Sequence, residues 1–523
     1  MPQLTHDGNY FLLKLDSLDT KPLATGGFRW SEGSSAWFTS DPKVAVKFRQ
    51  YADDSSARIL DRIFLLDIPW QWALPKIPDG LTPYPYQISS VFFALRINRC
   101  YLALDPGLGK TIVAALIMAS LRTRCVYICP PFLIRDAEAK FKAWAPQLRV
   151  FLNRKGRAFP DDYDVMIIPD SMIAREGMHQ DVKQWVEGYP HAALFIDEAH
   201  RYSNGEAKRT KALLGFYPRA SRPVPGLVDL FYRVKYLSGT PIRNRPMELY
   251  PILSKSAPEA IGFKSKFDFG VRYCAGYQTR FGWDFTGVSN LEELVQRVSQ
   301  KFMLRVSKGD VLDLPPKIED VFIISEDMPP RLAKLDSQLQ SEYGAKDIVE
   351  HRIKVKAGEI DEDLHVATYR RYLGLEKVKH TAEYISTLLS QSEDEAIIVY
   401  GFHTEVIEQL KEALAEFNPI VITGEVDPDK RLDLVDQFQT KPKHRLILGN
   451  YIAMGVGFTI TRATRVFFAE FSFVPGENEQ AIDRAHRIGQ TKTLYIQYAV
   501  YYGSLDRDIL AAVLEKRKTL NAF

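Results

Sequence analysis

Short apolar runs alternate along the chain with segments of helical period, the pattern of a parallel α/β architecture. Strands are predicted at Cys100 to Leu104, Cys125 to Cys129, Val165 to Ile168, Ala193 to Ile196 and Val234 to Leu237. A second series follows at Ala396 to Val399, Pro419 to Ile422, Arg445 to Leu448, Arg465 to Phe468 and Leu494 to Tyr498. Two separate α/β units are implied. Between them, residues 262–375 show fewer strand signals and much helical patterning. Ahead of the first unit, residues 1–75 are rich in tryptophan and short strand-like pieces, and Pro75, Pro78, Pro83 and Pro85 punctuate the junction. The expected division is a small α+β accessory module (1–75), a first α/β unit (76–261), a helical insertion region (262–375), a second α/β unit (376–505) and a C-terminal helix (506–523).

Composition narrows the class. The 523 residues suggest about three to four domains at roughly 150 residues each. With 46% hydrophobic and 25% charged residues the chain is ordinary globular material, not collagen-like, mucin-like or disordered. Its formal charge is 68 − 65 = +3, which excludes a binder held to nucleic acid by bulk charge but leaves room for a local basic groove. Four cysteines cannot build a disulfide framework, so a reducing, intracellular setting is expected. Cys125 and Cys129 would share one face of a strand, and with no second ligand pair in view core packing is favoured over metal binding. No secretion signal and no membrane-spanning run is visible, so the expected protein is soluble: in a bacterial or phage-infected cytoplasm, or in a nucleus.

Candidate chemistry begins at Ala103-Leu-Asp-Pro-Gly-Leu-Gly-Lys-Thr111, between a predicted strand and a predicted helix. Gly107 and Gly109 let backbone N–H groups close around phosphate oxygens near the positive end of the helix. Lys110 would reach the β- and γ-phosphates, and Thr111 would place its hydroxyl on Mg²⁺. The general phosphate-loop pattern has a glycine where this chain has Leu104, so a chance glycine-rich turn is the competing reading. Downstream, Ala192-Ala-Leu-Phe-Ile-Asp197-Glu198-Ala-His200 ends an apolar strand in two carboxylates. Asp197 suits the metal shell, and Glu198 suits orienting and deprotonating an attacking water. The alternative is an acidic helix N-cap; the glycine loop upstream weighs against it.

Asp-Glu-Ala-His with this short glycine loop resembles superfamily 2 helicases, and the remaining landmarks resemble their SNF2 branch. Tyr84-Pro-Tyr-Gln87 resembles the adenine-contacting segment, with Gln87 at the adenine edge. Val126-Tyr-Ile-Cys-Pro-Pro-Phe resembles a DNA-backbone segment containing Pro130. Tyr236-Leu-Ser-Gly-Thr-Pro-Ile-Arg-Asn-Arg-Pro-Met-Glu-Leu-Tyr250 resembles the segment coupling ATP state to DNA, with Thr240. Phe269-Gly-Val-Arg-Tyr-Cys274, Gly282-Trp-Asp-Phe-Thr-Gly-Val-Ser-Asn-Leu291 and Met303-Leu-Arg-Val-Ser-Lys308 are similar to the annealing-helicase (HARP-containing) subgroup. The resemblance covers Tyr84 to the C-terminus. It implies two RecA-like parallel-sheet lobes with SNF2-type helical insertions, and ATP with Mg²⁺ in a site shared by both lobes. It also implies DNA as partner, as duplex, fork or single/double-strand junction, gripped through the backbone. A monomer is expected, with a single-strand-binding protein or a replication or repair factor as a further partner.

In the second unit, Gln480-Ala-Ile-Asp-Arg484-Ala-His-Arg487-Ile-Gly-Gln490 places Gln480, Arg484 and Arg487 at i, i+4 and i+7 of an expected helix, on one face. Taken alone, these arginines would form surface salt bridges with Asp483 or Glu479. The resemblance makes them arginine fingers on the γ-phosphate, with Gln480 beside the nucleotide. Thr423-Gly-Glu and Ala453-Met-Gly-Val-Gly-Phe-Thr459 fall where the family has second-lobe DNA and nucleotide contacts. Met454 and Thr459 replace the usual Gly and Asn there, so the weight rests on Gly455 and Gly457. For Lys208, Arg209 and Lys211, phosphate contact and a solvated helix face stand equal.

The N-terminal residues suggest a hairpin through Gly27-Phe-Arg-Trp30 and Ala36-Trp-Phe-Thr-Ser-Asp-Pro42, then a helix with Asp41 as N-cap and Pro42 at N1. Trp30, Trp37 and Phe38 could stack on unpaired bases, with Arg29, Lys43, Lys47 and Arg49 near phosphates. Core packing in so small a module is the competing reading, favoured for Trp37 and left open for Trp30. This is where HARP modules lie in the family. The expected function is an ATP-dependent translocase that rewinds or remodels branched DNA. Its rivals are a strand-separating helicase and an ATP-gated DNA scaffold that does not move.

Overall fold

The fold is described from a computed structural model. It describes residues 3–6, 10–14, 28–31, 36–39, 45, 51, 53, 56, 74–153, 159–216, 222–263, 265–279, 282–342, 345–349, 361–451, 453–454 and 458–521. Two compact units emerge. The first comprises residues 1–241, 251–262 and 296–313, and the second residues 242–250, 263–295 and 314–523.

The N-terminal residues form a four-stranded antiparallel sheet of β1 (Gln3–His6), β2 (Phe11–Lys14), β3 (Arg29–Ser31) and β4 (Ala36–Thr39), in the order β1-β2-β4-β3. The expected hairpin is β3–β4, with Trp30 opposite Trp37 in register, and Trp37 is half-buried. The predicted helix start at Asp41 and Pro42 lies outside the described residues.

The main sheet of the first unit contains β5 (Arg99–Leu104), β6 (Cys125–Cys129), β7 (Val150–Leu152), β8 (Val165–Pro169), β9 (Ala193–Ile196), β10 (Arg233–Ser238) and β13 (Met303–Val306). Their order is β13-β5-β10-β9-β6-β8-β7, and every pairing is parallel. Strands β6, β8 and β9 are buried at every residue, because helices cover both faces of a parallel sheet and leave no solvent side for polar residues. Cys125 and Cys129 are part of this core, where burial pushes both thiols up.

The second unit carries β11 (Tyr277–Thr279) paired antiparallel with β12 (Gly282–Asp284), and a six-stranded parallel sheet. That sheet contains β14 (Lys317–Ile324), β15 (Ile397–Gly401), β16 (Ile420–Ile422), β17 (Leu446–Asn450), β18 (Arg465–Phe468) and β19 (Leu494–Tyr501), ordered β14-β19-β18-β15-β17-β16. Period-two alternation sorts its residues between two cores. Ile398, Tyr400, Val466, Phe468, Ile496 and Tyr498 pack on one face, and Ile397, Val399, Phe467 and Ala499 on the other. The C-terminal helix Leu505–Asn521 is anchored at its start by a buried ion pair: Lys377 Nζ lies 2.5 Å from Asp506 Oδ2 and donates to the Ala499 carbonyl at 2.7 Å.

Each of the ten predicted strands is a strand, and the expected pair of parallel-sheet units is present. Residues 262–375 differ from their helical reading. This stretch also contributes β13 to the edge of the first sheet and the eight-residue β14, paired along its whole length with β19, to the second. Both are edge strands with mixed sequences, Met-Leu-Arg-Val and Lys-Ile-Glu-Asp-Val-Phe-Ile-Ile, so neither shows the continuous apolar run of a central strand.

Candidate active site

In the first unit the loop 105–109 leaves the C-terminal end of β5 and enters the helix Lys110–Leu121. Gly107 and Gly109 both have positive φ, +92° and +78°, and Gly109 is the helix N-cap. A Cβ on Gly109 would collide with the Gln87 side-chain nitrogen, so any other residue here would displace that amide as well as adopt a left-handed φ. Gln87, 2% exposed, donates from Nε2 to the Leu108 carbonyl at 3.1 Å and accepts at Oε1 from the Tyr84 N–H at 2.9 Å. Its amide thereby fastens the glycine loop to the start of the helix Pro85–Arg96, in addition to any contact with a base.

The loop is clamped from a second direction. Asp105 Oδ1 lies 2.6 Å from Arg305 Nη2 on β13, and Asp105 Oδ2 accepts from the Lys308 N–H at 2.8 Å. Arg305 also donates to the carbonyls of Ala103 (3.1 Å) and Gly239 (3.4 Å). A Cβ on Gly239 would come within 2.6 Å of Pro106 Cδ, so the Ser238-Gly-Thr240 turn packs directly on the loop.

Asp197 follows β9 on the same edge of the sheet and is 4% exposed. Its Oδ2 accepts from the Tyr127 hydroxyl at 2.7 Å and its Oδ1 from the Glu198 N–H at 2.9 Å. Burial raises the Asp197 pKa above the usual carboxylate range, while the Tyr127 hydrogen bond and the charge of Lys110 oppose that rise. Thr111 opposes the burial-driven rise of the Tyr127 pKa, and Lys110 opposes that of Asp197, so the four residues act on one another. Lys110 Nζ also donates to the Leu104 carbonyl at 3.2 Å.

Glu198 sits in the left-handed region (φ +49°) and opens the short helix Ala199–Tyr202. Its Oε2 lies 3.3 Å from His200 Nδ1, which is itself 2.9 Å from Ser238 Oγ. Ser238 Oγ accepts from the Thr240 N–H at 3.2 Å, so the Asp-Glu-Ala-His and Ser-Gly-Thr segments are joined through His200. The donor set suits a hard cation: one carboxylate and one hydroxyl, beside a loop whose glycines leave backbone N–H groups for phosphate.

Other expected residues of the first unit lie apart from this cluster. Pro130 is buried and precedes the turn Pro131–Leu133. Lys208 is exposed at the first turn of the helix Lys208–Leu214. Arg209 lies 3.9 Å from the buried Asp170, and Lys211 pairs with Glu206 at 2.7 Å.

In the second unit the helix Pro475–Ile482 holds Gln480 but ends before either arginine. This corrects the expected single helical face. Arg484 N and Ala485 N bond carbonyls three residues back, and the Ile460 N–H takes the Arg484 carbonyl at 2.8 Å, so the chain tightens into turns. The spacing i, i+4, i+7 therefore places nothing on a common face here. Arg484 is buried and its charge bears on Tyr400. Arg487 donates from Nη1 to the Phe458 carbonyl (2.8 Å) and to Thr459 Oγ1 (3.1 Å). Thr423 is buried just after β16. Gly455 and Gly457 lie outside the described residues.

Sequence reasoning missed three participants: Tyr127, Arg305, and His200 as the link to Ser238. Tyr127 and Arg305 stood inside quoted segments, but nothing in a single sequence says that a tyrosine in an apolar strand faces a carboxylate seventy residues on.

Among the described residues no helix is long and apolar enough to cross a membrane. Residues 86–328 match the SNF2-related domain, and residues 376–489 match the helicase conserved C-terminal domain. The chain is similar to the SWI/SNF-related matrix-associated actin-dependent regulator of chromatin subfamily A-like protein 1 of Xenopus tropicalis, at 31% identity over 84% of this chain and 45% of that protein. It is also similar to the DNA annealing helicase and endonuclease ZRANB3 of Mus musculus, at 30% identity over 85% of this chain and 41% of that protein. The chain thus spans under half the length of these two relatives. A Sulfolobus solfataricus SWI2/SNF2 ATPase core solved with double-stranded DNA matches with a TM-score of 0.39 at 21% identity, over 86% of this chain and 94% of that one. The chain thus carries an SNF2-related domain followed by a helicase conserved C-terminal domain, and along most of its length it is similar to these relatives.

Proposed function

We propose that the chain is a DNA-dependent ATPase that uses ATP and Mg²⁺ to translocate on DNA, and that rewinds or remodels branched structures. One observation carries the chemical half: a loop whose two glycines adopt left-handed φ runs into the helix that opens with Lys110 and Thr111, and strand β9 of the same sheet leads into an Asp197 held by the Tyr127 hydroxyl. On this reading the loop N–H groups and Lys110 bind the nucleotide phosphates, and Thr111 and Asp197 hold Mg²⁺, which neutralises charge on the phosphate oxygens. Glu198, at a positive φ just past β9 and 3.3 Å from His200, orients the attacking water and takes its proton. Arg484 and Arg487 are carried over from the family as the residues that stabilise charge on the transferred phosphate. Gln480 and Gly457 join the nucleotide contacts, and Pro130, Lys208, Arg209, Thr240, Thr423 and Gly455 the DNA contacts. The DNA half rests on the family and on relatives named as annealing helicases. We also propose the accessory, insertion and C-terminal segments at the boundaries that the sequence suggests.

Steady-state ATPase rates on single-stranded, duplex and forked DNA, beside annealing and unwinding assays, test the reading. Duplex- or fork-stimulated turnover with annealing supports it; unwinding of a tailed duplex without annealing supports a strand-separating helicase. Binding to DNA with no turnover supports a scaffold. Lys110→Ala should abolish turnover and leave DNA binding, and Glu198→Gln should bind ATP without hydrolysing it; normal turnover in either removes that residue from its role.

A further inference from the structure

The nucleotide loop, Asp197 and Ser238 all lie at the C-terminal ends of the first sheet's strands. At the opposite edge is a cavity of about 860 Å³. Its walls come from the residues that lead into the strands, namely 119–124 ahead of β6, 146–149 ahead of β7, 161–164 ahead of β8 and Tyr189 ahead of β9. Pro75, Lys76 and Pro78, from the junction that follows the N-terminal residues, complete the lining. The cavity is therefore separate from the proposed catalytic cluster by the length of the strands.

Charge in the cavity is arranged in two tiers. Arg124 pairs with Asp161 at 3.1 Å, and Arg149 pairs with Asp164 at 2.9 Å, so both carboxylates are matched by fixed guanidiniums. Arg124 is further held by the Trp185 carbonyl and lies 4.9 Å over the Trp185 ring and 4.3 Å over the Tyr189 ring. The second tier is Lys76 and Arg122, both exposed at the cavity and without an ion-pair partner among the described residues. Two unmatched cations equal the charge of a phosphate monoester near neutral pH. Beside them Tyr189 is 42% exposed although Arg124 covers part of its ring, which leaves aromatic surface in the same cavity. Arg122 is held in the left-handed region, φ +50°, where a non-glycine residue is uncommon and its placement at the rim costs backbone energy.

We propose that this cavity is a second ligand site that takes a nucleotide, with the phosphate on Arg122 and Lys76 and the base against Tyr189. Guanidinium and ammonium groups match phosphate oxygens, an exposed tyrosine face accepts any base, and the volume lies in the range of small-molecule sites. The same chemistry is offered by a free nucleotide and by the 5′-phosphorylated end of a DNA strand. The site is independent of the proposed ATPase reading, because none of its residues belongs to that cluster.

Equilibrium dialysis of the full chain against the four deoxynucleoside 5′-monophosphates, and against 5′-phosphorylated dT4, tests the site in three variants. Arg122→Gly removes the cation at a position whose backbone suits glycine, so the fold is retained. Lys76→Ala removes the second cation, and Lys110→Ala disables the phosphate loop. A cavity ligand should bind the Lys110→Ala chain as it binds the unaltered one, and should lose roughly tenfold or more in affinity with Arg122→Gly and with Lys76→Ala. If the monophosphates behave so, the ligand is a free nucleotide; if only the phosphorylated oligonucleotide does, it is a strand end. Absence of binding to the Lys110→Ala chain by every probe, or equal affinity with and without Arg122, overturns the proposal. Binding lost only with Lys110→Ala places the ligand at the phosphate loop, and also overturns it.

Discussion

Arg305 is a sharp test of how the glycine loop is held. It reaches the loop from β13, a strand almost two hundred residues downstream, and its guanidinium makes one ion pair with Asp105 and two carbonyl bonds to Ala103 and Gly239. Arg305→Ala removes all three. The ion pair is 28% and 19% exposed at its two ends, so solvent screens it only in part. A charge-assisted bond contributes about 1.5 kcal/mol or more, and the long Gly239 contact contributes little, so the loop should lose roughly 2–3 kcal/mol of order. The Lys308 N–H keeps one Asp105 oxygen in place, which limits the damage to the loop. If the loop must be ordered to hold phosphate, nucleotide affinity falls by about 30- to 150-fold. Titration with a fluorescent ATP analogue measures this, with urea unfolding in parallel to show that the first unit remains folded. Arg305→Lys should recover only part of the affinity, since an ammonium lacks the fork that spans the carboxylate and both carbonyls. A folded Arg305→Ala chain that binds nucleotide within about twofold of the unaltered chain would refute the idea that β13 orders the loop.

Three further outcomes are expected. Tyr127→Phe removes the 2.7 Å hydrogen bond that favours the ionised form of Asp197, so the Asp197 pKa rises further and the acid limb of the ATPase pH profile moves to higher pH; an unmoved limb would separate Asp197 from the rate. Gly109→Ala forces a left-handed alanine, at about 1–2 kcal/mol, and displaces the Gln87 amide from Leu108. Nucleotide binding should weaken while circular dichroism stays unchanged. Lys377→Met leaves Asp506 buried without its cation and should cost about 3–5 kcal/mol in urea unfolding at pH 8. The Asp506 pKa is already raised by burial, so the folded state binds more protons than the unfolded state above the ordinary carboxylate range. Stability therefore falls as pH rises through that window, and the loss in Lys377→Met should shrink on acidification.

The parts of this fold that a single sequence announces are those whose residues are forced by burial on two sides. A central strand such as β6 or β9 is apolar at every position because helices lie over both faces, and Ala193–Ile196 and Cys125–Cys129 appear with their ends in place. The glycine loop is legible for a different reason: its left-handed backbone and the Gln87 amide against Gly109 penalise any residue but glycine. Edge strands carry no such demand. β13 needs an arginine at its third position to reach Asp105, and β14 mixes Lys317, Glu319 and Asp320 with apolar residues because one side is uncovered. Both therefore pass for helical or irregular chain. The arginine pair shows the converse error. Gln480, Arg484 and Arg487 have faultless helical spacing, yet spacing states only what a helix would do if it continued. Ile460 captures the Arg484 carbonyl, the chain closes into turns at Asp483, and Arg487 turns to the carbonyl of Phe458. The long-range backbone hydrogen bond decides that local question, and it is made by a residue twenty-four positions away that no periodicity reports. The contacts of the proposed site fall in this second class. Asp105 with Arg305, Asp197 with Tyr127 and His200 with Ser238 each join segments distant in sequence, so the proposed phosphate loop can be read from its glycines while the residues that brace it cannot.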